Sequence, residues 1–289
     1  MLSLKPLTFR LKLFLLQATC LTFGGCKTAE NSNPSVYGGK EDYSILPRSL
    51  GLVEVINGVP GQHPFCTGGF ITDRLFLTAA HCIFEGKEVA IVSEAAPFKG
   101  KFISSKTFFA APEYLRRRES TGPFIDATAV DIGFVIFPQG TAPAALIMEI
   151  APIPPKVGDG VQLVGWGANR QKDFEDITFK RHYGRNKIAK IDEKNGDKIV
   201  LVGITYTDGA PDDVDHASAG SGDSGGPLFN DKDQVIGVTS NIGTLDEKDS
   251  DTRDKILNNT SSYANLNFSK TRDIIDAIVA QYRSKANTN

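Results

Sequence analysis

What the 289-residue chain lacks narrows its function first. It has no charge bias, with 32 Lys and Arg against 34 Asp and Glu and a net charge of −2. Nothing general in its electrostatics therefore draws it to nucleic acid or to an anionic membrane surface. The short basic run Arg116, Arg117 and Arg118 reads as a solvated loop. Beyond residue 25 no apolar stretch reaches the length of a membrane span, and no internal repeat marks a solenoid. Asp208, Asp212, Asp213 and Asp215 cluster without the ligand spacing of a calcium loop and read as a solvated acidic segment. Cysteine is scarce, with four in all.

What is present begins with an export signal. Lys5, Arg10 and Lys12 precede an apolar run, "LFLLQATCLTFGG", over residues 13–25. "FGGC" resembles a bacterial lipobox, in which Cys26 would be lipidated and would tether the domain through the polar stretch "KTAENSNPS"; simple secretion after cleavage nearby is the alternative. The expected localisation is thus exported, either secreted or periplasmic, or lipid-anchored at a bacterial envelope. Setting Cys20 and Cys26 aside, an exported domain left with Cys66 and Cys82 pairs them. Closing that loop of about 15 residues is worth about 3 kcal/mol in the chain-entropy model, and it anchors the backbone beside His81.

Past residue 36 the chain is a series of short strand-like runs set off by glycine and proline: "SLGLVEVI", "FCTGGFIT", "RLFLTAA", "KEVAIVS", "DIGFVIF", "GVQLVGWG", "KIVLVGITY", "PLFN" and "QVIGVTS". This spacing places it in the all-β barrel or sandwich class. "APIPPKVGDG", residues 151–160, separates two β units, with a cleft between them as the natural place for a site. Near the end, Ile274, Ile275, Ile278 and Val279 recur at helical spacing, as expected of a helix lying on a barrel surface. Before it, "GTLDEKDSDTRDKILNNTSS" reads as an exposed loop insertion.

Three stretches carry chemistry: "LTAAHC" with His81, "AVDIGFVIF" with Asp131, and "GSGDSGGP" with Ser224. A serine hydroxyl is a poor nucleophile until a positioned base takes its proton, and the usual base is an imidazole held by a carboxylate. The glycines around Ser224 let the backbone turn sharply, so that the N–H groups of Gly222 and Ser224 can converge on one developing oxyanion.

In this His, Asp, Ser order the sequence resembles the trypsin/chymotrypsin family of serine endopeptidases. "VYGGKE" at 36–41 is similar to that family's mature amino-terminal motif, "GWG" at 165–167 to its mid-domain motif, and the last helix to its terminal helix. The resemblance implies two six-stranded antiparallel β-barrels, about 36–150 and 151–270, and a C-terminal helix at about 270–283. Residues 1–25 are then the signal and 26–35 a linker or short propeptide. It further implies His81 as general base and then acid, Asp131 as its orienting carboxylate, Ser224 as nucleophile, and Gly222 and Ser224 as oxyanion donors. Asp223 would pair with the amino group of Val36 once an activating protease cuts after Ser35.

The resemblance also locates the primary pocket. Ser218 stands at its base, with Ser240 and Ile242 on one wall. A serine there, and not the nearby Asp215, points to a small or medium uncharged substrate side chain. The partner expected is a protein or peptide substrate, the protein itself a monomer, and the chemistry calls for no metal or organic cofactor. A noncatalytic protease-like binding protein is the alternative, and an esterase on another fold is disfavoured because its histidine would come last.

Overall fold

The computed structural model describes residues 36, 39–83, 85–93, 98–121, 130–167, 181–192, 198–206, 214–245 and 256–283. The signal, Cys26, the stretch 27–35 and the aspartates 208, 212 and 213 lie outside them.

Sixteen strands are assigned among these residues. In the first half they are β1 (Lys40–Glu41), β2 (Leu50–Ile56), β3 (Val59–Pro60), β4 (Cys66–Phe70), β5 (Leu75–Thr78), β6 (Val89–Val92), β7 (Ile103–Ser105), β8 (Phe108–Ala110) and β9 (Gly133–Ile136). In the second they are β10 (Gly160–Gly165), β11 (His182–Lys187), β12 (Lys190–Ile191), β13 (Lys198–Tyr206), β14 (Pro227–Asn230), β15 (Val235–Leu245) and β16 (Ile256–Asn265).

Hydrogen bonding gathers them into two antiparallel barrels. In the first, the order is β6-β2-β4-β5-β9, with β7 on β6 and β8 on β9. Only Lys106 and Thr107 separate β7 from β8, and the Ile136 N–H donates to the Thr107 carbonyl at 2.8 Å. β7 and β8 are therefore one bent strand that closes a ring of six. The second barrel repeats the device. Its order is β10-β14-β15-β16-β13, closed by β11 on β10 and β12 on β13. Across the break between β11 and β12, the Ala189 N–H donates to the Val200 carbonyl at 3.0 Å.

Period-2 burial explains why these residues form barrels. Val161 and Leu163 face the second core while Gln162 between them is only half-buried. That core holds Ile199, Leu201, Leu228, Ile236 and Tyr263. The first barrel is filled by Leu50, Leu52, Phe70, Phe76 and Phe137, with the Phe70 and Phe76 rings edge to face at 5.2 Å. A third cluster joins the barrels and carries α2 (Ser269–Arg283) through buried Ile275 and Ile278, with Ile274 and Val279 partly buried beside them. Burying each such isoleucine is worth about 1.5–3 kcal/mol.

Two segments differ from the sequence reading. Arg116, Arg117 and Arg118 lie on a helix, α1 (Pro112–Thr121), which starts with proline at its first turn and Glu113 near its positive end. Residues 256–262, read as part of an exposed loop, belong to β16, paired along its length with β13 and with β15. Its buried positions include Ser261, Ser262 and Asn265, so hydrophobic alternation could not reveal it.

Candidate active site

The β5–β9 ladder determines where the site forms. Thr78 pairs with Gly133, so the extensions of the two strands, His81 three residues on and Asp131 two residues back, emerge side by side. The close approach of the two strand extensions at Gly133 favours glycine. A Cβ there would lie 2.6 Å from Ile83 Cδ1 and 3.2 Å from Ala80 Cα, in the 3-10 turn Ala80–Cys82 that carries His81. The Cys66–Cys82 disulfide is formed, tying that turn to β4.

Asp131 is buried and accepts three hydrogen bonds. Oδ1 takes the backbone N–H of His81 at 3.1 Å, and Oδ2 takes His81 Nδ1 at 2.8 Å and the Ser240 hydroxyl at 2.6 Å. Because Oδ2 accepts, the Nδ1 proton stays on Nδ1. In the neutral imidazole Nε2 is then the acceptor nitrogen, on a side chain that is 30% exposed.

The Ser224 loop belongs to the second barrel but is locked against the first. The Ser224 carbonyl accepts from the Thr67 N–H at 2.7 Å and lies 3.7 Å from Cys82 Sγ, next to His81 in the chain. The Thr67 hydroxyl donates to the Gly222 carbonyl at 3.0 Å. Gly222 and Gly225 sit at φ 93° and 81°, a region that disfavours any side chain. A Cβ on Gly225 would also stand 2.1 Å from Thr78 Oγ1. Among the described residues, neither the Gly222 nor the Ser224 backbone N–H has a protein acceptor.

Asp223 is buried beneath this loop. Its carboxylate accepts the Gly167 N–H at 2.8 Å and the Gly220 N–H at 2.7 Å. Desolvation outweighs these two bonds and pushes its pKa up to about 8. Val36 is 1% exposed and packs among Ala217, Leu228 and Tyr263 in the second barrel's core, although the chain runs on through the Ser35–Val36 bond.

Ser218 is fully buried and its hydroxyl has no hydrogen-bond partner among the described residues. Asp215, by contrast, is exposed on the 3-10 turn Val214–His216. It lines an outer cleft of about 620 Å³ beside Arg185, Lys187 and Asp231. Ile242 is half-buried on β15, opposite Ser261 of β16. Ser240, read as a wall residue, also gives its hydroxyl to Asp131, a partnership that no local sequence pattern could signal. Cys66, His81 and Cys82 place potential ligand atoms within 4.8 Å of one another, but the disulfide consumes both thiols, so these residues do not suit a metal.

Two closed six-stranded antiparallel barrels followed by a C-terminal helix define the chymotrypsin-like fold class. Residues 51–266 match the sequence signature of the family described as Trypsin, and the chain belongs to that family of serine proteases. It is 27% identical over 197 residues to Trypsin 5G1 of Aedes aegypti, spanning 64% of this chain and 68% of that one. It is 27% identical over 194 residues to a trypsin of Phaedon cochleariae, spanning 62% and 69%. Neuropsin, a serine protease expressed in the limbic system of mouse brain, shares the fold at a TM-score of 0.58 and 18% identity, covering 83% of this chain and 98% of that one. No described helix is long and apolar enough to cross a membrane.

Proposed function

We propose that this protein is an exported serine endopeptidase that hydrolyses peptide bonds through an acyl-enzyme formed on Ser224. The observation carrying the reading is the hydrogen-bonded chain from Ser240 through Asp131 to His81, set against the Ser224 loop. Ser224 Oγ attacks the scissile carbonyl as its proton passes to His81 Nε2. Asp131 stabilises the imidazolium, and the N–H groups of Gly222 and Ser224 hold the oxyanion. His81 then returns the proton to the leaving amine, and water activated by the same imidazole frees the acid.

Export and maturation complete the proposal. Residues 1–25 act as signal and 26–35 as linker or short propeptide, with Cys26 a lipidation site in the anchored form. A protease cuts between Ser35 and Val36, and the new Val36 ammonium supplies the cation that buried Asp223 lacks among its described contacts. The test is covalent labelling by a fluorophosphonate probe of chain beginning at Val36, chain beginning at Cys26, and Ser224→Ala. Labelling confined to the Val36 form is expected. No labelling of either wild-type form, in folded protein, would favour the noncatalytic binding reading.

For specificity, the buried base at Ser218 and the wall residue Ile242 fit a small or medium uncharged side chain. A peptide library should show cleavage after such residues; strict cleavage after Arg would refute it.

A further inference from the structure

A buried cation outside the chemistry just described bears on maturation. Arg181 is 2% exposed. Its guanidinium meets no carboxylate within ion-pair distance among the described residues. Its Nη1 donates to the Asp42 carbonyl at 2.6 Å, its Nη2 donates to the carbonyls of Ile45 and Leu46, and its Nε has no partner among the described residues. Burial lowers its pKa to about 10, leaving it charged at neutral pH. All three acceptors belong to one short turn. The Asp42 side chain shapes that turn from the other side, its Oδ1 accepting the Ser44 N–H at 2.6 Å, the Ser44 hydroxyl at 2.7 Å and the Ile45 N–H at 3.0 Å. Leu46 closes it at φ 48°.

This turn is where the amino-terminal segment leaves β11. From it the chain can be followed back along the barrel edge: the Asp42 N–H donates to the Arg181 carbonyl at 3.3 Å, Glu41 pairs with His182, Lys40 pairs with Tyr183, and the Gly39 N–H donates to the Val36 carbonyl at 2.8 Å. The register tolerates little slip. A Cβ on Gly39 would lie 2.8 Å from the Tyr183 carbonyl, and one on Gly184 would lie 2.3 Å from Ala217 Cβ and 3.1 Å from Val36 Cγ1.

We infer that Arg181 is a positioning residue for maturation: its guanidinium clamps the turn 42–46 and thereby sets the register that delivers the Val36 amino group to its buried site. The inference rests on the proposed cut before Val36. A plain structural plug would work as well with an apolar side chain of similar length. A clamp requires donors that spread over three carbonyls, which the planar guanidinium provides and a lysine ammonium matches only in part.

The experiment uses chain beginning at Val36 and compares the parent with Arg181→Met and Arg181→Lys. Two quantities are read: turnover of a cleavable peptide, and modification of the Val36 α-amino group by an amine-reactive reagent at neutral pH, followed by mass spectrometry. In the parent the amino group should be protected. Arg181→Met should expose it and lower kcat about 100-fold, the scale of a misplaced catalytic constellation, with a smaller change in KM. Arg181→Lys should fall between the two, and it decides the matter if Arg181→Met does not fold. Parent-like protection and kcat in the folded variants would overturn the role of Arg181. Free modification of the parent's own Val36 would instead overturn the maturation reading.

Discussion

Asp131→Asn should lower turnover by about four orders of magnitude while leaving the protein folded. The reason lies in how many donors converge on this carboxylate. The His81 backbone N–H points at Oδ1, while His81 Nδ1 and the Ser240 hydroxyl point at Oδ2. An amide offers one acceptor oxygen in place of two. If that oxygen keeps the backbone N–H, the NH2 group faces Nδ1 and forces the imidazole proton onto Nε2. An Nε2 that already carries a proton cannot take one from Ser224. The Ser240 hydroxyl can rotate to accept from the amide, so the fold loses little. Steady-state hydrolysis of a peptide substrate at neutral pH, with circular dichroism as the control for folding, reads the result. A loss smaller than tenfold would show that Asp131 does not set the His81 tautomer.

The same carboxylate shows what sequence could and could not disclose. The nine hydrophobic runs read as strands all became strands, because each alternates or fills a barrel interior. β11 and β16 escaped because polar residues occupy buried positions there: Asn186 and Ser261 are satisfied by hydrogen bonds, Asn186 to the Val202 and Ala217 carbonyls and Ser261 to the Tyr263 hydroxyl. β7, β8 and β12 are short pieces of bent strands whose identity depends on what they pair with. His81, Asp131 and Ser224 could be named as candidates because each sits in a local motif. Their neighbours are long-range facts: Ser240 reaches Asp131 across 109 residues of chain, and Arg181 reaches Leu46 across 135. A buried arginine among carbonyls leaves no pattern in the residues around it.

The second large effect concerns Asp223 in the uncut chain. Unfolded, its carboxyl titrates near the ordinary value of 3.8, whereas in the folded protein burial raises it to about 8. Between those values the folded state holds a proton that the unfolded state has released. Stability from this group is therefore fully present below about pH 4 and is lost as pH rises toward 8, by up to about 1.4 kcal/mol per pH unit. In chain beginning at Val36, the proposed ammonium favours the carboxylate and removes the mismatch. Urea midpoints of uncut Ser224→Ala, which cannot process itself, should fall between pH 5 and pH 8 relative to the same substitution in chain beginning at Val36. Adding Asp223→Asn to the uncut chain should flatten its curve, since an amide keeps hydrogen-bonding groups in the site without a titrating charge. Parallel curves for the uncut and cut chains would mean that the Val36 amino group does not reach Asp223. A fall in the uncut chain that survives Asp223→Asn would assign the pH dependence to other groups. The predicted pattern would make the cut before Val36 an electrostatic repair: a carboxyl that is neutral and tolerated in the precursor becomes a paired carboxylate beneath the Ser224 loop, where its backbone neighbours Gly222 and Ser224 have to present their N–H groups.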